Sequence, residues 1–163
     1  MPFAQVQPVI QLSVRGLCTK PYQGHPRGCP NWDKKDGCPP QARPLGEVMD
    51  LKRPIYVVWN RFNLGAHVDK MQIKHPKWSE RQIYCCLYWQ TAARKQLQWE
   101  ISEALMDIIQ FTDFGPGDDP LILTCPEACG VNVTATLELT GQRDVEWPPI
   151  RVAYQVALIG HKK

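Results

Sequence analysis

The chain has 163 residues, a net charge of +3 and a hydrophobic fraction of 44%, which excludes a disordered chain and suits one domain over residues 1–163. The mild basicity permits an anionic partner without demanding nucleic acid. No stretch approaches the ~20 apolar residues of a membrane span, and the start MPFAQVQPVIQLSV lacks the charge and apolar run of an export signal, so a cytoplasmic protein with no membrane contact is expected.

Taken in chain order, residues 9–15 alternate, with Ile10, Leu12 and Val14 set against Gln11, Ser13 and Arg15. That period of two predicts a half-buried strand. Residues 18–44 are rich in cysteine, proline and glycine and predict an irregular loop. LGEVMDL suits one or two helical turns, and the nearly unbroken apolar run PIYVVWNRF a central strand covered on both faces. Ser79 and Gln82 have capping-box spacing. Beyond them Ile83, Cys86, Leu87, Ala93, Leu97, Ile101, Leu105 and Ile108 share one helical face, which predicts a helix from about Glu80 to Gln110. Its first half has a second apolar face of Cys85, Tyr88, Trp89 and Ala92, which calls for burial or a partner.

FGPGDDP breaks the chain, and LILTC predicts a short buried strand. Val131 to Leu139 alternates like a strand, but Asn132 and Gly141 stand where helix caps belong, and a helix is the expectation. Residues 150–158 alternate and predict a closing strand. The fold class that follows is α/β or α+β, with a single small mixed sheet, one long central helix and a Cys/Pro-rich loop.

Chemistry concentrates in that loop. Seven cysteines, an odd number, in a reducing compartment point to metal ligation or reactive thiols. Cys18, Cys29 and Cys38 are separated by ten and eight residues in a segment whose composition offers little other source of order. Thiolates bind soft and borderline metals strongly, and a metal would supply that order. Two metals compete. With His25, the loop offers a complete Cys₃His set for zinc. An iron–sulfur cubane would take the three loop thiols and a fourth ligand from Cys125 or Cys129, which bracket CPEAC, or leave one iron open. The cluster with Cys18, Cys29, Cys38 and Cys125 is the preferred set. Cys85 and Cys86 read as packing residues, being adjacent on a helix and about 100° apart.

GCPNWDKKDGCPP, RKQLQWEI and PEACGVNV resemble an uncharacterised family of predicted metal-binding proteins with a GCPN…CPP cysteine signature. The resemblance implies a cysteine-bound metal, iron–sulfur rather than zinc. It also makes this chain a shortened member, because FTDFGPGDDPLILTC carries one cysteine where the family has a second cluster. No reaction transfers with it, so whether the chain is an enzyme stays open.

Two functions from different classes follow. One is a [4Fe-4S] protein that acts on or transfers sulfur to a small anionic substrate at an open iron, or serves a redox partner. The other is a zinc-stapled module binding nucleic acid or an acidic partner. Arg27, Lys34 and Lys35 are the candidate anion-binding residues. Trp32, Trp59 and Trp78 interleave with the basic residues and are candidates for base stacking. Asp118, Asp119 and Glu127 are acidic residues near CPEAC that could serve as a general base. Glycine-rich phosphate loops, GxSxG and HExxH are all absent from the sequence.

Overall fold

A computed structural model describes residues 2–111, 114–115 and 117–163. Its strands are β1 (Phe3–Gln5), β2 (Tyr56–Asn63), β3 (Leu121–Leu123) and β4 (Val152–Gly160). The helices are α1 (Leu45–Val48), α2 (Leu64–Lys74), α3 (Glu80–Tyr84), α4 (Cys86–Phe111) and α5 (Val133–Glu138), with 3-10 helices at Leu12–Thr19 and Pro126–Cys129. The strands form one sheet in the order β1-β2-β4-β3. One small sheet with a long helix is the expected α/β or α+β class. All three pairings are antiparallel rather than mixed.

The sheet is covered on both faces. Tyr56, Val58, Ala157 and Ile159 pack against Leu97, Ile101, Ala104 and Ile108 of α4. The alternate residues Val57, Trp59, Val156 and Leu158 pack on Leu45, Met49, Val131 and Leu137. Burying such a side chain contributes about 1.5–3 kcal/mol, so these two layers carry the fold. A third cluster joins Leu64 and Val68 of α2 to Ile83, Cys86, Trp89 and Ala93. The buried Asn60 side chain donates to the Ala93 carbonyl at 2.9 Å and pins α4 to β2. Among the described residues, no helix is long and apolar enough to cross a membrane.

Local signals are realised where they were strong. Ser79 and Gln82 form a capping box, and the Asn132 side chain accepts from the Ala135 N–H to start α5. Three details differ. The alternating residues 9–15 form no strand. Ile10 and Leu12 stay exposed, and the segment instead docks on the 126–132 turn through Gln11 N–H to Gly130 O and Asn132 N–H to Val9 O. Alternation without a partner strand leaves backbone groups unpaired, and here the turn satisfies them. The long helix spans 32 residues but is interrupted at Cys85. Finally, α2 carries a signal in Asn63, whose side chain accepts from the Ala66 N–H, followed by Leu64, Val68 and Met71 at helical spacing.

Candidate metal centre

Residues 20–44 are a chain of turns held by identifiable bonds. Tyr22 and His25 exchange backbone hydrogen bonds, and their rings stack at 4.2 Å. Cys29 N–H donates to the Cys18 carbonyl at 2.7 Å, Cys38 N–H to Lys35 O, and Ala42 N–H to Cys38 O. Arg15 closes the far end by donating to the carbonyls of Pro40 and Ala42. Gly28 makes the Cys18–Cys29 approach feasible. Its φ is +80°, and a Cβ there would lie 2.5 Å from the Cys18 oxygen. The loop therefore has hydrogen-bonded order of its own, beyond what its composition suggested.

All seven cysteines are free thiols. Cys18, Cys29 and Cys38 are half-buried and act on one another electrostatically. Burial pushes the Cys18 thiol up to about 11, with Cys29, Glu127 and Cys38 adding to it. Cys38 is raised by burial and then by Cys29. Cys86, fully buried at the start of α4, is pushed to about 11 by burial, then by Cys29 and Cys85. Cys125, which follows β3, is pushed to about 12 by burial and then by Glu127, with Cys38 a lesser contributor. Thiols in this state ionise reluctantly unless a cation joins them, which is the condition a bound metal meets.

The structure divides the sequence-predicted residues. Cys18 and Cys29 line one cavity and are joined by a backbone hydrogen bond, whereas Cys38 and Cys125 do not line it. Cys129 is a buried core residue beside Val131 and Leu137. His25 does not face the thiols with a free nitrogen. Its Nδ1 lies 3.0 Å from the Gln23 carbonyl and its Nε2 accepts from the Cys86 N–H at 3.2 Å, so the network assigns an Nδ1–H tautomer with both nitrogens engaged. The Cys₃His set is therefore not assembled. Among the described residues no three His, Cys, Asp or Glu side chains gather as ligands of a single ion.

A cavity of about 540 Å³ opens beside the loop. Cys18, Cys29 and Cys85 line it together with Arg27, Lys34 and Arg81, and no carboxylate does among the described residues. Trp32 and Tyr88 form part of its wall. Lys35 is not part of this lining but lies near Cys38, whose thiolate it favours. Trp59 is buried in the core, and Trp78 stacks on His75 at 4.0 Å. The three tryptophans thus form no shared stacking surface. Asp118 pairs with Arg53 and Asp119 with Lys162, whereas Glu127 belongs to the thiol group. Glu127 is an exposed residue, and desolvation by nearby protein raises its carboxyl pKa against the pull of Arg94.

Arg94 is the residue that sequence reasoning passed over. From α4 its charge favours the ionised forms of Cys38, Cys86, Cys125 and Glu127 together. Its position one step off the buried Ala93–Leu97 stripe was visible in the sequence, but the groups it faces come from distant segments. Set against family models, curated proteins and solved structures, the chain finds no match.

Proposed function

We propose that this chain is a cysteine-ligated metal protein in which Cys18, Cys29 and Cys38 hold one [4Fe-4S] cluster beside a cavity for a small anion. The observation that carries this reading is that Cys18 and Cys29, joined by the Cys29 N–H to Cys18 carbonyl bond, line one cavity whose charged side chains, among the described residues, are all cations, with Cys38 on the same loop. Thiolates are the ligands such clusters take, and a cubane distributes them over separate irons. Thiols set around a recess therefore suit it better than they suit one zinc ion, which wants four ligands on a tetrahedron. When bound, the cluster supplies one-electron chemistry or, with an iron left open, a Lewis acid.

The chain's own residues perform the rest. Arg27, Lys34 and Arg81 hold a carboxylate or phosphate by charge-assisted hydrogen bonds, and Trp32 and Tyr88 exclude water from its apolar part. Arg94 offsets the negative charge of the assembled thiolates.

Anaerobic purification with iron, sulfide and zinc analysis tests the reading. Equal iron and acid-labile sulfide, with absorbance at about 400 nm, are expected, and both are lost when Cys18, Cys29 or Cys38 is replaced by alanine. A colourless protein with stoichiometric zinc would overturn it in favour of the zinc-stapled module. Full metal content in any one of the three variants would remove that residue from the ligand set.

A further inference from the structure

We propose that the outer face of α4 is a dimer interface, on which a second copy of this chain docks with its own α4 antiparallel. None of the residues on that face lines the cavity beside the cysteine loop.

The helix carries two apolar stripes. The inner one, through Leu97, Ile101, Ala104 and Ile108, is buried on the sheet. Two residues on from Leu97 and from Ala104, Trp99 and Met106 are turned about 200° around the axis, and they stand 61% and 68% exposed. Ile109 joins them at 51%. Among the described residues, none of these three belongs to a packed cluster. Single exposed apolar side chains need no explanation, but these share a seam. Ala92, Lys95, Trp99, Ser102, Met106 and Ile109 follow one another in alternate steps of three and four, and all six are exposed. That spacing is the 3.5-residue repeat by which one helix pairs with another, sustained here over about 26 Å.

What fits the seam is the same seam run in reverse. An antiparallel copy can be registered so that Trp99 faces Ser102, Met106 faces Lys95 and Ile109 faces Ala92 of the other chain. Each layer then sets a large side chain against a small or flexible one, as interdigitation requires. Ser102 suits its place, because its hydroxyl donates to the Gln98 carbonyl at 3.0 Å and brings no unpaired polar group to the seam. Lys95 is the one charged residue among the six. In this register its ammonium comes within a helical turn of Glu103 and Asp107 of the second copy, so the basic half of one helix lies along the acidic half of the other. A single lysine in such a seam fixes register and strand number. Parallel pairing would set lysine on lysine and indole on indole. Size and charge therefore select the same occupant.

Sedimentation equilibrium of the full chain, purified anaerobically with reductant so that its free thiols form no cross-links, tests the proposal. A dimer is expected at about 100 µM chain, dissociating on dilution. Trp99→Glu should raise the dissociation constant at least about 30-fold, as loss of a central tryptophan does. Lys95→Glu and Glu103→Lys should each raise it about 10-fold by setting like charges together, and the double variant Lys95→Glu/Glu103→Lys should recover the wild-type value. Circular dichroism checks that each variant is folded, and the charge variants decide alone should Trp99→Glu unfold. A monomeric wild type at about 100 µM overturns the proposal, as does a dimer indifferent to Trp99→Glu in folded protein. Indifference to either charge reversal, or a double variant as weak as the single ones, overturns the antiparallel register.

Discussion

The imidazole of His25 accepts the backbone N–H of Cys86 across 61 residues of chain. His25→Ala leaves that buried donor unpaired, which costs about 1–3 kcal/mol. A lower urea midpoint and faster proteolysis within residues 20–44 are expected. Metal per folded molecule should be unchanged, since the ring is a support and not a ligand. Loss of metal in folded protein would restore His25 to the ligand set.

Gly28 and Gly37 offer a matched pair. Both have positive φ, but only Gly28 lies against the Cys18 carbonyl, while nothing stands within 4 Å of the Cβ position at Gly37. Gly37→Ala should therefore cost only the left-handed strain of about 1–2 kcal/mol. Gly28→Ala adds a clash with the Cys18–Cys29 hydrogen bond and should also lower metal content. Equal metal content in the two variants would show that this approach does not shape the centre.

The half-buried Arg94 is the one cation among the described residues whose charge acts on all of Cys38, Cys86, Cys125 and Glu127. Arg94→Gln removes the charge while keeping much of the side-chain length. Supporting residues of this kind typically change metal affinity about 10–100-fold, and competition with a chelator would measure it. An unchanged affinity would place Arg94 outside the centre's electrostatics.

Metal removal should leave the fold standing. The two layers on the sheet and the α2–α4 cluster are built from apolar contacts that include none of the loop thiols Cys18, Cys29 and Cys38, and the loop carries its own hydrogen bonds. Chelation should preserve far-ultraviolet circular dichroism and a cooperative melt while exposing residues 18–44 to protease. Global unfolding on chelation would make the metal a structural staple instead.

Acid should weaken a separate corner of the molecule. The Tyr154 hydroxyl donates to Asp144 at 2.5 Å and Arg61 Nε at 2.7 Å. These partners, Tyr154 foremost, hold the Asp144 carboxyl below its ordinary value of 3.8. A lowered folded-state pKa means that the unfolded chain takes up the proton first. The stabilisation is therefore complete above about pH 4 and fades as pH falls through the folded value. Asp144→Asn should lower the urea midpoint slightly at pH 7 and by less as the pH falls well below 3.8, the effect being small because the pair is exposed. An equal difference at pH 7 and at low pH would refute the ionic origin.

The amino-acid sequence by itself determined the elements whose causes are local. The capping box at Ser79 and Gln82, the apolar stripe from Ile83 to Ile108, the run YVVW of β2 and the Asn132 cap of α5 each depend on neighbours within a few residues, so spacing alone reveals them. The three loop cysteines were visible for the same reason, as an unusual composition in a short stretch. Tertiary structure decided what depends on partners far along the chain. Residues 9–15 alternate, but no strand lies beside them, and the 126–132 turn takes their hydrogen bonds. Cys86 packs on the core stripe as its period says, but the helix breaks just before it, and the His25 ring that accepts its N–H comes from a loop 61 residues away. The place of Arg94 beside the Ala93–Leu97 stripe is visible in the sequence, but the groups its charge acts on, Cys38, Cys125 and Glu127 among them, come from distant segments. Periodicity reports which face of an element is buried, whereas the identity of what covers that face is set by long-range packing.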